Sequence, residues 1–425
     1  MGMGFVGVTT ALVFADSGWN VTGLDPDQAK INSLLKGNLP FYEPGVEQLL
    51  SKHVANGTIA FTTSPESAIR ENQIIFLCVG TPSSPDGSAD LRYIKQAASW
   101  IGEFMQEHKW IVIKSTVPIG THEKVRQWVT NSQVIPTTFD TINNPEFLRE
   151  GSALEDTMKP DRIVIGTTNE DAANHIAPLY ANMKCPVIIT KPRTAEMIKY
   201  ASNSFLATKI SFMNELARLT NEMDINISDV SKGMGLDPRI GNQFLRAGIG
   251  YGGSCFPKDV DSLIHTAKEK GLKLSLLEKV VKVNKSQATY FLEKLEQQLS
   301  GFKGKTIAIL GIAFKPDTDD IREAPSLKII SSLLKKKAIV QVHDPVVALP
   351  TEKLSDRLIQ CKSVEDTLYQ ADAMVICTEW EMYRNADWVH LKDIMRNQNI
   401  LDGRNILDGK KLISLGFNYL SVSNL

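Results

Sequence analysis

Hydrophobic and polar positions along the chain fall into three successive textures. Up to about residue 190, short apolar runs rich in β-branched side chains alternate with stretches of helical spacing: WNVTGLD, TIAFTT, QIIFLCVG, WIVIKST, DRIVIGT and PVIIT are the runs. Their length and flanking turn residues predict buried parallel strands, and their alternation with helices predicts a doubly wound layout. The stretch TAEMIKYASNSFLATKISFMNELARLTNEM differs, because it contains no Gly or Pro and repeats apolar residues at helical spacing. It predicts one long helix. That helix opens a helical segment running to about residue 300, interrupted by the Gly-rich RAGIGYGGSCFPKD. After GFKGK the strand–helix alternation returns with KTIAILG, AIVQVHD and ADAMVICTE.

The fold class expected is therefore α/β, with two Rossmann-like doubly wound domains joined by a long central helix and a helical middle segment. The boundaries fall at 1–190, 191–300 and 301–425. The two α/β parts share a pattern of strand, Gly-containing turn, helix, then a second strand ending in an acid, Asp25 or Asp344. This is a weak internal repeat.

Composition narrows the class. Hydrophobic residues make up 43% and charged residues 22%, with a net charge of −1. That balance suits a globular protein and supplies no basic block of the kind nucleic acid requires. No apolar run is long enough for a bilayer, and the first residues lack the pattern of a secretory signal, so a cytoplasmic protein is expected. The cysteines (Cys78, Cys185, Cys255, Cys361 and Cys377) are scattered and odd in number, which argues against a disulfide framework or a zinc ribbon. The histidines form no ligand-spaced cluster, so no metal site is expected. Cys78 and Cys377 lie in strand-like runs, where Cys acts as a small buried hydrophobe.

Three features carry candidate chemistry. The first is GMGFVG, residues 2–7, where Gly2, Gly4 and Gly7 have the spacing of a dinucleotide-binding turn and enclose Phe5 and Val6. In such a turn the glycines permit a tight bend, close approach to a pyrophosphate and helix–sheet packing. Asp25 follows near the interval of about 20 residues at which an acid accepts ribose hydroxyls, and its charge favours NAD over NADP. The competing reading is a glycine-rich tail, which leaves the ordered pattern downstream without explanation. The second feature is Cys255, set among glycines and followed by Lys258 and Asp259. A thiolate is the reactive form of Cys and is favoured by nearby cations and N–H groups. The third is the pair Lys199 and Asn203, four apart on one face of the long helix and able together to steady an oxyanion. A solvated helix surface is the alternative.

The stretches GMGFVG, CVGTP, KSTVPIGT, NPEFLREG, KYASNSFLATKISFMNE, GIGYGGSCFPKD and GIAFKPDTDDIREAPS occur in this order. Together they resemble the UDP-glucose/GDP-mannose dehydrogenase family along nearly the whole chain. The resemblance implies a four-electron oxidation of a sugar-nucleotide primary alcohol with NAD. Cys255 would capture the aldehyde as a thiohemiacetal, which is oxidised to a thioester and then hydrolysed. Lys199 and Asn203 would stabilise the oxyanion, Asp259 and Thr116 would hold a water that moves protons, and Glu146 would assist hydrolysis. A plain salt bridge is the alternative for Asp259. Cofactor contacts would come from the glycine turn, Asp25, Lys30, Thr81, Thr116, Glu150, Lys258 and Arg322. Substrate contacts would come from Phe147, Leu148, Arg149, Glu150, Lys199, Asn203, Phe244, Leu245, Arg246, Ala247, Gly248, Gly252 and Lys315. Phe244 and Leu245 could equally be core residues. Arg246 could serve a neighbouring subunit's substrate or cap a helix.

The wording YGGSCFPKD and FKPDTDDIREAPS points within the family to the branch acting on UDP-glucose. GDP-mannose, UDP-N-acetylmannosamine and UDP-N-acetylglucosamine are the alternative substrates. A homodimer through the central helix is expected, with no nucleic acid or membrane partner. Two other classes stay open at this point. One is a non-catalytic sugar-nucleotide or NAD sensor; the other is a two-electron 3-hydroxyacid dehydrogenase, which leaves the cysteine loop unexplained. The family also carries a short apolar strand ahead of the first glycine. Starting at Met1, the first sheet is expected to lack that interior strand and to expose two unpaired edges, as from an internal start.

Overall fold

The apolar runs form their ladders in two units of the chain, 1–202 with 261–272, and 203–260 with 273 onward. These assignments come from a computed structural model that describes residues 1–423. In the first unit β1 (Val21–Leu24) and β2 (Ile59–Thr62) pair in parallel. Beside them stands a five-stranded sheet of β3 (Ile74–Leu77), β4 (Lys109–Ile113), β5 (Phe139–Asn143), β6 (Ile163–Gly166) and β7 (Val187–Thr190), in that order. Residues 1–3 bridge the two sheets. The amino group of Met1 donates to Phe76 O at 2.7 Å, Cys78 N donates to Met1 O at 2.8 Å, and Gly2 N donates to Leu24 O at 2.8 Å.

The second unit has one sheet of β8 (Thr306–Leu310), β9 (Ile339–His343), β10 (Leu358–Gln360), β11 (Ala373–Ile376), β12 (Asn399–Asp402) and β13 (Asn418–Ser421). All its pairings are parallel, and the spatial order is β10-β9-β8-β11-β12-β13. Numbered from β8 this is 3-2-1-4-5-6, the order of a dinucleotide-binding fold. In the first unit, Met1 to Met3 sit between β1 and β3, where β8 runs between β9 and β11 in the second.

Central strands are buried on both faces, as the continuous apolar runs require: every residue of β6, β8, β11 and β12 is buried. Two strand expectations need correction. The first sheet is not wholly parallel, because β5 and β6 pair antiparallel through Asn143 and Gly166. Nor is PVIIT buried: β7 is an edge, and Val187, Ile188 and Ile189 are exposed. Strands β5, β10, β12 and β13 were outside the apolar runs, since FDTIN, LIQ, NILD and NYLS are short or carry polar residues.

The long helix spans Pro192–Glu222. In the second unit its Met213 and Ala217 join Phe291 and Leu295 of helix Ser275–Leu299 against Ile307, Ile309, Val340 and Val375 of the sheet. Trp380, Tyr383 and Trp388 pack with Leu310, Met374 and Ile400. In the first unit Val8 and Leu12 of helix Phe5–Asp16 pack with Ile31, Leu50 and Phe61. Among the described residues no helix is long and apolar enough to cross a membrane.

Candidate active site

The glycine turn is built by contacts that admit no side chain. A Cβ on Gly7 would lie 1.8 Å from Gly2 O, and one on Gly2, at φ +89°, would press on the backbone of Cys78 and Val79 at 2.9 Å. Gly4 caps helix Phe5–Asp16, with nothing within 4 Å of its own missing Cβ. The first N–H groups of this helix have no intrahelical acceptor. Phe5 stacks on Phe41 with ring centroids 4.0 Å apart. Asp25 accepts from Met3 N at 2.8 Å, Asp27 N at 3.1 Å and Lys30 Nζ at 2.8 Å. Burial alone would push this carboxyl up, but Lys30 and the two N–H groups outweigh it and hold it below its ordinary value. A glycine cradle, a free helix start and a buried carboxylate at the end of β1 fit the pyrophosphate and adenosine ribose of NAD.

Two loops of the same unit carry further residues singled out in the sequence. Thr81 donates to Thr116 O at 2.7 Å, tying the CVGTP loop to KSTVPIGT. Glu146 is buried, accepts from Lys199 Nζ at 2.9 Å and Leu148 N at 2.8 Å, and so forms an enclosed ion pair. Lys199 also lies over the Phe147 ring at 5.4 Å, with Arg162 over the same ring at 3.9 Å. Glu150 is buried, whereas Arg149 is exposed and grips Asp156 through two side-chain bonds of 2.7 and 2.9 Å. The guanidinium of Arg149 is thereby committed to its own loop.

The cysteine loop belongs to the second unit. Cys255 immediately precedes helix Phe256–Glu269, and its carbonyl accepts from Asp259 N at 2.9 Å. The start of a helix is a position that favours an anion. Ser254 Oγ lies 3.6 Å from the sulfur. Asp259, 1% exposed, is held by Asn203 Nδ2 at 2.6 Å and Lys258 Nζ at 2.5 Å. The salt bridge that was the alternative for Asp259 is thus present, to Lys258. The glycines keep the loop close: a Cβ on Gly252 would meet Glu323 O at 2.5 Å, and one on Gly253 would meet the Phe314 ring at 2.7 Å.

Other substrate candidates divide. Gly248 N donates to Asn214 Oδ1 at 2.8 Å. Leu245 and Ala247 are buried in the main core, so the core reading holds for the Leu245 side chain; Phe244 is half-buried at φ +63°. Arg246 is exposed and lies in the loop between helices Ile227–Gly235 and Phe256–Glu269, which removes the reading of it as a helix cap. Lys315 sits over Phe314 at 5.6 Å. Arg322 grips Asp320 with two bonds of 2.8 Å and remains largely exposed.

Several residues escaped the sequence reading. Arg404, in LDGRN, donates to Cys377 O at 2.8 Å, Gly250 O at 2.9 Å and Phe314 O at 3.3 Å, pinning the cysteine loop to two strand ends. An Arg directly after a strand-ending Asp-Gly was the available signal. Glu43 accepts from Gly151 N and Ala153 N, both at 2.7 Å, and shapes the turn after NPEFLRE. Lys114 is buried, donates to Asn144 Oδ1 at 3.1 Å and is pushed well down by burial. Cys377 is buried as expected and pushed up to about 12, while Cys78 is half-buried and likewise raised by burial.

Comparison with known proteins agrees with this geometry. Models of the UDP-glucose/GDP-mannose dehydrogenase family match the NAD binding domain over residues 1–184, the central domain over 193–286 and the UDP binding domain over 308–409. The chain is 43% identical to the UDP-glucose 6-dehydrogenase TuaD of Bacillus subtilis, covering 99% of this chain and 92% of that one. It is 40% identical to a UDP-glucose 6-dehydrogenase of Rhizobium meliloti, covering 99% and 98%. A UDP-glucose dehydrogenase structure from Pyrobaculum islandicum superposes with a TM-score of 0.91 at 39% identity, covering 96% of this chain and 94% of that one. A UDP-D-ManNAc dehydrogenase from Pyrococcus horikoshii gives 0.88 at 29%, covering 99% and 97%. With a glycine cradle and buried acid suited to NAD, and all three domain models matched in order, the chain belongs to the UDP-glucose/GDP-mannose dehydrogenase family and is an NAD-dependent dehydrogenase.

Proposed function

We propose that this protein oxidises the C6 alcohol of UDP-glucose to the carboxylate of UDP-glucuronate through a covalent adduct on Cys255. The observation that carries the chemistry is Cys255 at the start of helix Phe256–Glu269, in one unit with the bonded set Asn203, Asp259 and Lys258. The sugar is chosen because the relatives at 40% identity and above bear that name. NAD, when bound, supplies the electron acceptor for each of the two oxidations.

The chain's own groups do the rest. The Cys255 thiolate adds to the C6 aldehyde, forming a C–S bond and a tetrahedral oxyanion that takes up one proton. Loss of the C6 hydrogen with its electron pair to the acceptor, and of that hydroxyl proton, converts the thiohemiacetal to a thioester. Water adds to the thioester carbonyl, the C–S bond breaks, and the sulfur leaves as the thiolate that began the cycle. Lys199 and Asn203 stabilise the oxyanion at both tetrahedral stages, Asp259 and Thr116 position the water that relays protons, and Glu146 assists its attack. Phe147, Leu148, Glu150, Phe244, Gly248, Gly252 and Lys315 hold the sugar nucleotide. A covalent adduct keeps the aldehyde from escaping between oxidations.

A second copy of the chain completes the assembly in this reading. Phe205, Phe212 and Leu219 recur at seven-residue intervals on the long helix and are 65%, 48% and 56% exposed. Such a row of large apolar side chains is a face for a partner helix. Arg246 then serves the neighbouring subunit's substrate. Scattered free cysteines and the absence of a membrane-length helix among the described residues favour the cytoplasm.

Product analysis tests the function. Purified protein with NAD and UDP-glucose should form two NADH per sugar consumed and release UDP-glucuronate, and Cys255→Ser should abolish uronate formation. A strong response to another sugar nucleotide with none to UDP-glucose would overturn the substrate assignment. Full uronate production by Cys255→Ser would overturn the covalent route.

A further inference from the structure

Glu196 lies one turn before Lys199 on the long helix and is 3% exposed. Its Oε2 accepts from Gly120 N at 2.7 Å, and its Oε1 accepts from His122 N at 2.9 Å and Asn143 Nδ2 at 3.3 Å. Gly120 and His122 are the cap and second residue of helix Thr121–Ser132, and they directly follow the loop that holds Thr116. Thr116 in turn accepts from Thr81 of the CVGTP loop. One carboxylate thus joins the helix of Lys199 to the loops of Thr116 and Thr81.

The partners of that carboxylate are all donors. Asn143 Oδ1 lies 2.9 Å from His122 Nδ1, and His122 Nε2 lies 3.2 Å from Thr141 Oγ1. With its amide oxygen turned to the histidine, Asn143 has only its NH₂ for Glu196, so its direction is fixed. A proton on Glu196 would create an O–H with no acceptor among these three partners, and it would face an N–H instead. We propose that Glu196 is a positioning residue whose ionised carboxylate clasps the Lys199 helix to the Thr116 loop, so that turnover falls when it is protonated. The inference rests on the roles given above to Lys199 and Thr116.

The surroundings single out Glu196 as the group that titrates. Burial, reinforced by the nearby charge of Glu123, outweighs the three donors and raises its carboxyl to about 7. From helix Thr121–Ser132, His122 is held below its ordinary value by burial, and Glu123 is held low by its pairing with Arg193 despite its own burial. Strand β5 contributes the neutral Asn143 and Thr141. The helix of Glu196 itself contributes Arg193, committed to Glu123, and Lys199, committed to Glu146.

Glu196→Gln mimics the protonated form at every pH, which gives a test that a merely structural role would not pass. The ratio of wild-type to variant kcat should be about tenfold at pH 8 and approach one below pH 6, with a midpoint near 7. A ratio constant from pH 6 to 9 in active protein would overturn the clasp. An independent readout uses the NAD-free protein: the infrared difference between wild type and variant should show a protonated carboxyl that disappears near pH 7. A carboxylate already ionised at pH 5 would also overturn it. Protein that forms no NADH from any sugar nucleotide would instead overturn the reading on which the clasp rests.

Discussion

The ion pair of Lys199 and Glu146 lets structural and catalytic roles be measured separately. Both side chains are buried, at 4% and 8% exposure, and the charged atoms are 2.9 Å apart. With an effective dielectric of about 20, Coulomb attraction at that separation is roughly 6 kcal/mol, offset in large part by the desolvation of both ions. Removing one partner leaves the desolvation cost without the attraction. Lys199→Met should therefore cost about 3–5 kcal/mol, and Glu146→Gln a comparable amount, while the double variant should recover most of the loss. The stability of this unit is read by native-state hydrogen exchange of amides in β4 and β6, which belong to it alone. Activity should behave differently. If Lys199 stabilises the oxyanion as proposed, Lys199→Met and the double variant should both lack turnover, since Glu146→Gln does not replace the ammonium. Additivity of the two single effects within about 0.5 kcal/mol would refute the buried pair. Recovery of kcat in the double variant would refute the catalytic role of Lys199.

Three further perturbations follow from contacts already described. Gly7→Ala places a Cβ 1.8 Å from Gly2 O, so the turn must open; NADH binding, followed by its fluorescence, should be lost while circular dichroism persists, and unchanged affinity would refute the cradle. Phe212→Glu sets a charge in the exposed row of the long helix and should convert a dimer to monomer in sedimentation, whereas an unchanged assembly state would place the interface elsewhere. Glu196 has a folded value of about 7 against an ordinary 4.5, so the folded state binds its proton more tightly. Its stabilising contribution is complete below pH 4.5 and lost as pH rises through 7. In parallel urea melts, wild type should therefore gain up to about 3 kcal/mol on Glu196→Gln as pH falls across that window, at about 1.4 kcal/mol per pH unit. Parallel curves would refute the shift.

Legibility in the sequence followed how locally each residue's role is determined. The glycine turn with Asp25, the Cys255 loop and the Lys199–Asn203 face could be read because each is a short segment whose spacing carries its geometry. Glu196 shares that helix face, yet it reads as an ordinary helix acid, since its partners Gly120, His122 and Asn143 lie more than fifty residues upstream. Arg404 and Glu43 were hidden for the same reason: their bonds run to Gly250 and Gly151, far along the chain. Strand β5 was missed because three of the five residues in FDTIN are polar, Asp140, Thr141 and Asn143, and its neighbours β4 and β6 flank it. Arg149 and Arg322 show the converse. The family resemblance marked both as ligand contacts, and nothing in the sequence signalled that each guanidinium is also gripped by an aspartate in its own segment, Asp156 and Asp320.

The repeat between the two α/β parts shows how one architecture is turned to different ligands. In each, the strand after the glycine turn ends in a carboxylate that accepts backbone N–H groups of that turn, Met3 N for Asp25 and Ile312 N and Ala313 N for Asp344. The similarity ends with the remaining acceptor sites. Asp344 also takes Val346 N and Val347 N at 3.0 Å each, and Trp380 Nε1 at 3.4 Å, so five protein donors surround its two oxygens. Asp25 has two backbone donors and one mobile ammonium, that of Lys30, which is 27% exposed. A ribose hydroxyl can compete with a flexible, partly solvated lysine far more easily than with fixed backbone N–H groups and a buried indole. The first turn is thus left receptive to an adenosine ribose, while in the second the same acid has become an internal brace of its own sheet.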